Sequence, residues 1–329
     1  MAVARVKKMT HREMKDSQGF TLIELLVVMV LAMVIMAGIF RTFKSQQDAY
    51  VVQDQVADMQ QSLRGAMYMI TRDLQMAGFY TNFDRTGRNM NWDDRGGTET
   101  KRPLIIAGDN VTGASPIRDN TDTIVIVKAG REGRPLTAGE GASGANIVLI
   151  SSDLSNPADG VDDLNATGKS FGVLIKSNLT AADFFRVDAS GTPVPLGTLN
   201  ESYGPGDLVY RADVMIYRVY DADANNPYPR LVRRNLGDDT GTYEVVAEHI
   251  DNLQFRYQLS DGTWVDDPNG NEQRIRAVQV FLLGRTAYPQ RGWRDTETYD
   301  FANNPITNPN DAYRRKLIST VVKTRDIGL

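Results

Sequence analysis

The sequence predicts an α+β protein in which one long N-terminal helix packs on an antiparallel β-sheet that carries long loop insertions. Three observations support this prediction. An almost unbroken apolar run spans residues 20–40, a helical stripe of apolar residues follows it, and short β-branched runs separated by turn residues fill the remainder. With 41% hydrophobic and 24% charged residues over 329 positions, the chain is large enough to bury a sizeable core.

The apolar run from Phe20 to Phe40 is long enough to cross a membrane, which needs about 20 such residues. Residues 1–19 carry five Lys or Arg and two acidic residues, so basic charge precedes the run. This charge bias predicts that the amino terminus stays cytoplasmic and that the remainder is exported. The exported part is acidic, since the whole chain has a net charge of −4. We therefore expect no nucleic-acid binding, which depends on neutralising phosphates.

Within the apolar run, Glu24 is the one charged residue. Three interpretations compete: a secretory signal cut near Ile35–Ala37, a plain membrane anchor, and a leader cut between Gly19 and Phe20 that leaves the apolar run in place. A carboxylate costs about 2.5–3.5 kcal/mol at the centre of a membrane helix and adds nothing to a signal peptide or an anchor. Glu24 therefore favours the third interpretation.

The stretch "GFTLIEL" from Gly19 to Leu25 resembles the type IV prepilin signature. The resemblance implies that an inner-membrane prepilin peptidase cuts after Gly19 and that Phe20 becomes the N-methylated amino terminus. It also implies that Glu24 contacts the amino terminus of a neighbouring subunit, which is reasonable because a buried charge needs a partner. The predicted organisation is a leader at 1–19, a transmembrane and assembly half-helix at 20–40, an amphipathic half-helix at 41–80 and an exported β-rich domain at 81–329.

The amphipathic half-helix is predicted from apolar residues spaced three and four apart. Polar residues occupy the opposite face, and Gly78 is the expected stop. The two half-helices together predict one helix from about Phe20 to Ala77. Its apolar stripe is interpreted as a core face rather than a cofactor site. The stripe consists of Val52, Val56, Met59, Leu63, Met67, Ile70, Leu74 and Ala77.

Beyond the helix, residues 81–122 are expected to be loops with little regular structure, and Gly130–Ala145 a flexible excursion rich in glycine. Asp261-Gly262 is a hairpin signal between an alternating strand and Trp264. The expected strands are 123–129, 147–151, 172–177, 207–220, 253–259, one through Val278–Leu282, and 313–325.

Pieces of this body, "RDLQMAGFY", "NTDTIVIV", "HIDNLQFRYQLSDG" and "YRRKLISTVVKTRDIG", resemble the PilW family of minor pilins. The resemblance implies a pilin-like fold and a minor pilin that primes type IV pilus assembly, in a tip complex with other minor pilins. Its implied partners are minor and major pilins, the prepilin peptidase, the inner-membrane assembly platform and a possible tip adhesin. The implied location is the bacterial inner membrane, with a periplasmic C-terminal domain, and then the pilus surface.

Two related functions and one unrelated function remain open. A J-type minor pseudopilin of a type II secretion system has the same architecture, and a tip-located binding or adhesion module is also possible. A periplasmic enzyme is least favoured, because the chain has no Cys, only His11 and His249, and no G-x-S-x-G motif. The "ATGKS" stretch lacks the first glycine of a phosphate-binding loop.

No cofactor is expected except a possible calcium ion. Two acidic turns offer oxygen ligands, but both are incomplete as calcium loops. In the first turn, Asn226 and Val232 replace the required Gly and Glu. Asp and Asn also favour turns without any metal. The calcium candidates are Asp221, Asp223, Asp266, Asp267 and Asn269.

Overall fold

The computed structural model describes residues 21–78, 105–144, 146–149, 171–178, 181–187, 192–195, 199, 201–236 and 242–324. The chain divides into two compact units, one ending at Asp54 and the other beginning at Gln55. The elements of each unit are described below in turn.

Helix α1 spans Leu22–Gln75 and confirms the predicted long helix. At its start, the backbone N–H of Glu24 donates to the Thr21 hydroxyl at 3.3 Å, so Thr21 caps the first turn. At the other end, Gly78 has a φ of 74° and its N–H donates to the Val127 carbonyl at 3.0 Å. A left-handed glycine just past the last turn is a common helix stop, as predicted for Gly78.

In the second unit, α1 buries most of the predicted stripe, and Val56 and Met67 are half-buried. Met59, Leu63, Ile70 and Leu74 are buried, and Ala77 just beyond the helix is buried too. Two further residues share the buried face, Ala66 and the charged Asp73. The opposite face is exposed and carries Asp58, Gln61, Arg64 and Arg72. The stripe is therefore a core face, as expected.

Sixteen β-strands lie in the described part of the chain. In chain order they are β1 Ile105–Val111, β2 Thr121–Pro135, β3 Gly141–Ser143, β4 Asn146–Val148, β5 Phe171–Ile175, β6 Ala182–Val187, β7 Pro193–Pro195, β8 Leu208–Tyr220, β9 Arg230–Asn235, β10 Glu244–Glu248, β11 Ile250–Leu259, β12 Trp264–Val265, β13 Ile275–Arg285, β14 Thr298–Tyr299, β15 Ile306–Thr307 and β16 Arg315–Lys323.

These strands form two large antiparallel sheets, whereas the sequence predicted one. The first has eight strands in the order β1-β2-β8-β5-β6-β7, with β9 beside β8 and β10 beside β9. The second has the order β12-β11-β13-β16. The pairs β3–β4 and β14–β15 stand as separate two-stranded sheets. The predicted α+β class, with one long N-terminal helix and antiparallel strands, is confirmed, and the single sheet is corrected.

The predicted glycine-rich excursion at 130–145 is also wrong. Strand β2 continues to Pro135 and pairs with β8 after a register shift between Ala129 and Gly133. A Cβ atom at Gly133 would collide with the Tyr210 ring, so this glycine permits a close approach between strands and does not loosen the chain. Similarly, β1 lies within the predicted loop region 81–122, of which residues 81–104 fall outside the described part.

The main core lies between the second half of α1 and both sheets. Leu63, Ile70 and Leu74 pack in one cluster with Ile124 and Tyr217 of the first sheet. The same cluster includes Phe255, Val280 and Leu282 of the second sheet. The strand predicted at 253–259 is part of β11, and the Asp261-Gly262 turn joins it to β12 as expected. One helix face thus closes the core that the two sheets share.

Candidate functional site

The first turn of α1 is the part of the predicted assembly site that the structure describes. Gly19 and Phe20 lie outside the described residues, so their predicted roles in cleavage and methylation remain predictions. Thr21-Leu22-Ile23-Glu24 follows a capping-box pattern, in which a Thr cap is followed three residues later by a Glu. The sequence interpretation overlooked this pattern. Glu24 therefore also lies where a helix favours negative charge, close to its amino terminus.

Between Leu22 and Phe40, the surface of α1 is exposed and, apart from Glu24, almost wholly apolar. Every large hydrophobic side chain between residues 22 and 43 is at least half exposed. The helix is long and apolar enough to cross a membrane, judged by length and composition. Exposed apolar area on this scale marks a surface that a membrane or another protein covers.

Glu24 lies within this apolar surface. Its side chain is exposed, and it has no ion-pair partner in the part of the chain that the structure describes. A carboxylate surrounded by hydrocarbon is stabilised by a cation that reaches it, so this position can bind a positively charged group from outside. The role predicted for Glu24 in subunit contact remains a prediction.

The first group of calcium candidates is engaged in other contacts. The Asp223 carboxylate accepts hydrogen bonds from Arg230 at 2.6 Å and from the backbone N–H groups of Asn225 and Asn226 at 2.8 and 2.9 Å. The Arg230 guanidinium, helped by these N–H groups, lowers the pKa of Asp223 to about 2. Asp221 pairs with Arg118 at 2.7 Å.

The second group is arranged in a similar way. Asp266 pairs with Arg256 at 2.9 Å, and Asp267 accepts the backbone N–H of Asn269 at 2.9 Å. Among the described residues no group of three or more His, Asp or Glu side chains is placed to hold a metal ion. Calcium binding remains a prediction, and it would require these oxygen atoms to exchange their present donors for the cation.

His249 lies between the ends of two strands. It sits between β10 and β11 with a φ of 58°, and its ring is 4.5 Å from the ring of Tyr228. Burial lowers the pKa of His249, so its neutral form is favoured. The imidazole therefore packs as an aromatic group in a tight connection.

Sequence reasoning missed three buried sites built around ionisable side chains, of which the one at Asp73 is the most informative. The Asp73 carboxylate accepts hydrogen bonds from Lys128 Nζ at 2.6 Å and from the Tyr217 hydroxyl at 2.5 Å. Arg233 Nη1 lies 3.8 Å from Oδ2 of Asp73. Asp73 joins the second half of α1 to β2, β8 and β9. The signal was present, because Asp73 falls three residues after Ile70 and four before Ala77, on the apolar stripe.

A second missed cluster centres on Arg315 of β16. Its guanidinium binds Asp251 at 2.7 Å, Asp295 at 3.0 Å and Asp311 at 2.6 Å. Tyr299 also donates to Asp295, at 3.0 Å. Burial opposes the charge of Arg315, but the three carboxylates outweigh it and raise its pKa. This cluster fastens the start of β16 to the long connection between β13 and β16.

The third missed site is the carboxyl group of Asp122, which lies between the two large sheets. It accepts the backbone N–H of Asn110 at 2.9 Å and that of Phe255 at 2.7 Å. Burial raises the pKa of Asp122 to about 7, although the two N–H donors act in the opposite direction. No pattern in the sequence distinguished Asp122 from a turn aspartate.

Comparison with known proteins gives two family matches. The prokaryotic N-terminal methylation motif matches residues 14–40, which include Gly19, Phe20 and Glu24. The family of type IV pilus-assembly protein W matches residues 216–326, from within β8 to just beyond β16. Both matches agree with the resemblances identified in the sequence.

The structure search finds a weak likeness to a type IV-like pilin from Thermus thermophilus. The two chains are 12% identical, with a TM-score of 0.35 over 82% of this chain and 96% of the other. No curated protein sequence matches this chain.

The N-terminal methylation motif and the apolar helix suggest membrane anchoring and association with a pilus. With this motif and a C-terminal third similar to type IV pilus-assembly protein W, the chain is a minor pilin-like protein.

Proposed function

We propose that this chain is a minor pilin that primes assembly of a type IV pilus with other minor pilins, in a complex at the pilus tip. The proposal includes cleavage after Gly19 by the prepilin peptidase, N-methylation of Phe20 and a periplasmic orientation of residues 41–329. Its partners are other pilins and the inner-membrane assembly platform. A structural role of this kind requires no catalytic site.

One observation carries the proposal: an exposed apolar helix face includes a carboxylate, Glu24, without a cation among the described residues. In hydrocarbon such a charge costs about 2.5–3.5 kcal/mol on insertion scales. A free amino terminus on a neighbouring subunit would offset this cost and would fix the axial step between the two helices. The methylation-motif match over residues 14–40 supports the same role.

The test compares Glu24→Gln with a control on the same helix. Glu24→Gln is expected to be inserted and cut normally, because it retains the apolar run and Gly19. Surface pili are expected to fall at least about tenfold, since the charge pair with the neighbour is lost. Asp54→Asn removes another exposed carboxylate of α1 and should leave pilus number unchanged. Equal pilus numbers in all three strains would contradict the proposal.

A second variant examines processing alone. Gly19→Ala is expected to leave an uncut precursor, so the protein on a gel should be larger than the native form by the 19-residue leader. Cleavage of this variant at the native position would contradict the prepilin interpretation. Measuring type II secretion in the same strains separates the alternatives, because a secretion defect with normal pili would identify a J-type pseudopilin instead.

A further inference from the structure

Strand β16 forms a free edge of the second sheet. In the order β12-β11-β13-β16, it pairs on one side with β13 and on the other side with no described strand. Its nine residues pair with β13 without a register shift. Such an edge presents backbone N–H and C=O groups that another chain can pair with.

The register identifies which residues present these groups. Thr324 N–H donates to the Arg276 carbonyl at 3.1 Å, and Thr286 N–H donates to the Arg314 carbonyl at 2.9 Å. Opposite residues in an antiparallel pair alternate between bonded and non-bonded. Even-numbered residues of β16 therefore bond to β13, and the odd-numbered ones direct their N–H and C=O groups outward. The outward set is Arg315, Leu317, Ser319, Val321 and Lys323.

All other edges of the two large sheets in the described part of the chain are protected. Strand β1 has a register shift between Gly108 and Val111, and β10 has one between Val245 and Ala247. Strand β7 has three residues, two of them proline, and β12 has two residues. Bulges, prolines and short length are the usual means of blocking an edge. Only β16 combines length, regular register and an uncharged centre, Leu317–Val322.

Charge indicates what kind of strand fits this edge. Lys316 and Lys323 flank the uncharged centre, both are exposed, and neither has an ion-pair partner among the described residues. An incoming strand with acidic residues near its ends would pair with both. A second copy of β16 fits poorly, because β16 contains no acidic residue that could pair with either lysine.

We propose that the outer edge of β16 binds an extended segment of another pilus subunit by β-strand addition. The segment has an uncharged, β-branched centre and acidic flanks. Backbone hydrogen bonds to Ser319, Val321 and Lys323 provide the attachment, and the two lysines select the partner. The class of partner rests on the function proposed above, whereas the open edge itself does not depend on it.

The test places a photo-crosslinking amino acid at Val321 in the full-length protein, in pilus-producing cells. Val245 provides a matched control, because both valines lie on edge strands and both are 51% exposed. We expect an adduct from position 321 and none from 245. Peptide-level mass spectrometry should assign the adduct to an acid-flanked segment of a subunit that has its own prepilin signature. Absence of an adduct at 321, or equal adducts at both positions, would overturn the proposal.

Two variants, each combined with the probe at 321, test the mode of binding. Ser319→Pro removes one outward N–H and should lower the adduct about tenfold, which corresponds to one backbone hydrogen bond at the upper end of its usual range. Ser319→Thr retains the N–H and should not change the adduct. If Ser319→Pro lowers the amount of folded protein, the double variant Lys316→Glu with Lys323→Glu replaces it, since both side chains are exposed. An adduct that survives both Ser319→Pro and the charge reversal would overturn strand addition.

The identity of the adduct separates this proposal from the proposed function. Linkage to a second copy, or to residues 79–104 of the same chain, would overturn the partner assignment. Linkage to a protein without a prepilin signature would contradict the pilin partner but retain the open edge. If Glu24→Gln lowers pilus number as expected but position 321 gives no adduct, the β16 proposal is overturned and the proposed function is retained.

Discussion

Helix α1 carries one charged side chain within each of its two apolar surfaces, and the two differ in how the charge is compensated. In the second unit, Asp73 is buried among apolar residues, and Lys128, Tyr217 and Arg233 meet its oxygens. In the first unit, Glu24 lies on an exposed apolar surface and has no cation partner in the described part of the chain. The same chain thus compensates the charge of Asp73, whereas under the proposed function the cation for Glu24 comes from a neighbouring subunit.

The largest expected effect is the loss of the internal pair. Asp73→Ala should lower the free energy of unfolding by about 3–5 kcal/mol, because the buried Lys128 ammonium and the Tyr217 hydroxyl lose their acceptor. Denaturant unfolding of the detergent-solubilised full-length protein, followed by tryptophan fluorescence, measures this change. Asp58→Ala, on the exposed face of the same unit, should change it by less than about 0.5 kcal/mol. Similar losses in both variants would contradict the distinction.

Apolar residues permit the same comparison without charge. Leu63→Ala should lower the free energy of unfolding by about 2–5 kcal/mol, since Leu63 is fully buried in the main core. Leu26→Ala, on the exposed apolar surface, should leave unfolding in detergent unchanged within about 0.5 kcal/mol. We expect Leu26→Ala to act instead on association between subunits, measured as pilus number. A large unfolding effect of Leu26→Ala would mean that the first unit has a core of its own.

The sequence predicted those features of the molecule that depend on neighbouring residues. The 3-4 spacing fixed the buried face of α1, Gly78 its end, and Asp261-Gly262 the hairpin between β11 and β12. These depend on local periodicity and on backbone conformations that few residues adopt. The prepilin signature around Glu24 is likewise contiguous, and the methylation-motif match confirms its recognition.

Features that depend on distant partners were missed. Asp73 meets Lys128 and Tyr217, which lie 55 and 144 residues away along the chain. Strand β2 continues to Pro135 beside β8, and the glycines of that segment concealed this continuation. Arg315 gathers three carboxylates, two of them from a connection without regular pattern. In each case the decisive contact joins residues whose order in the sequence carries no periodic signal.

A third carboxyl group sharpens the comparison, because Asp122 is buried without a cation. Burial raises its pKa from about 3.8 to about 7 in the folded state. The folded protein therefore holds this proton more tightly than the unfolded chain. The stabilisation is complete below about pH 3.8 and is lost as the pH rises through about 7. Asp109 and Asp266 favour the same protonated form.

This assignment predicts a pH dependence of stability. Between about pH 4.5 and about pH 7.5, Asp122 should remove about 3 kcal/mol from the free energy of unfolding. Asp122→Asn should flatten that slope, even though the variant is less stable overall because the amide NH₂ cannot accept a hydrogen bond from one of the two N–H groups. Asp119→Asn, at an exposed carboxylate that accepts Gly113 N–H, should retain the native slope. Denaturant titrations at several pH values measure the slope of the free energy of unfolding against pH. If Asp122→Asn kept the slope of the native protein, the role of this carboxyl group would be contradicted.

The smallest expected effect concerns how closely α1 approaches the second sheet. A Cβ atom at Gly284 of β13 would lie 3.0 Å from Cδ2 of Leu63, so Gly284→Ala forces Leu63 to move. We expect a loss of about 1–2 kcal/mol, which should largely disappear in the Leu63→Ala background, because the two residues share the contact. Gly65→Ala is the matched control, since its Cβ would meet no atom within 4 Å on the exposed helix face. It should stabilise the protein by up to about 1 kcal/mol through helix propensity. If Gly284→Ala lowered the free energy of unfolding no more than Gly65→Ala, α1 would have room to shift on the second sheet. The contacts of Asp73 would then have to fix the position of α1 without help from the contact between Leu63 and Gly284.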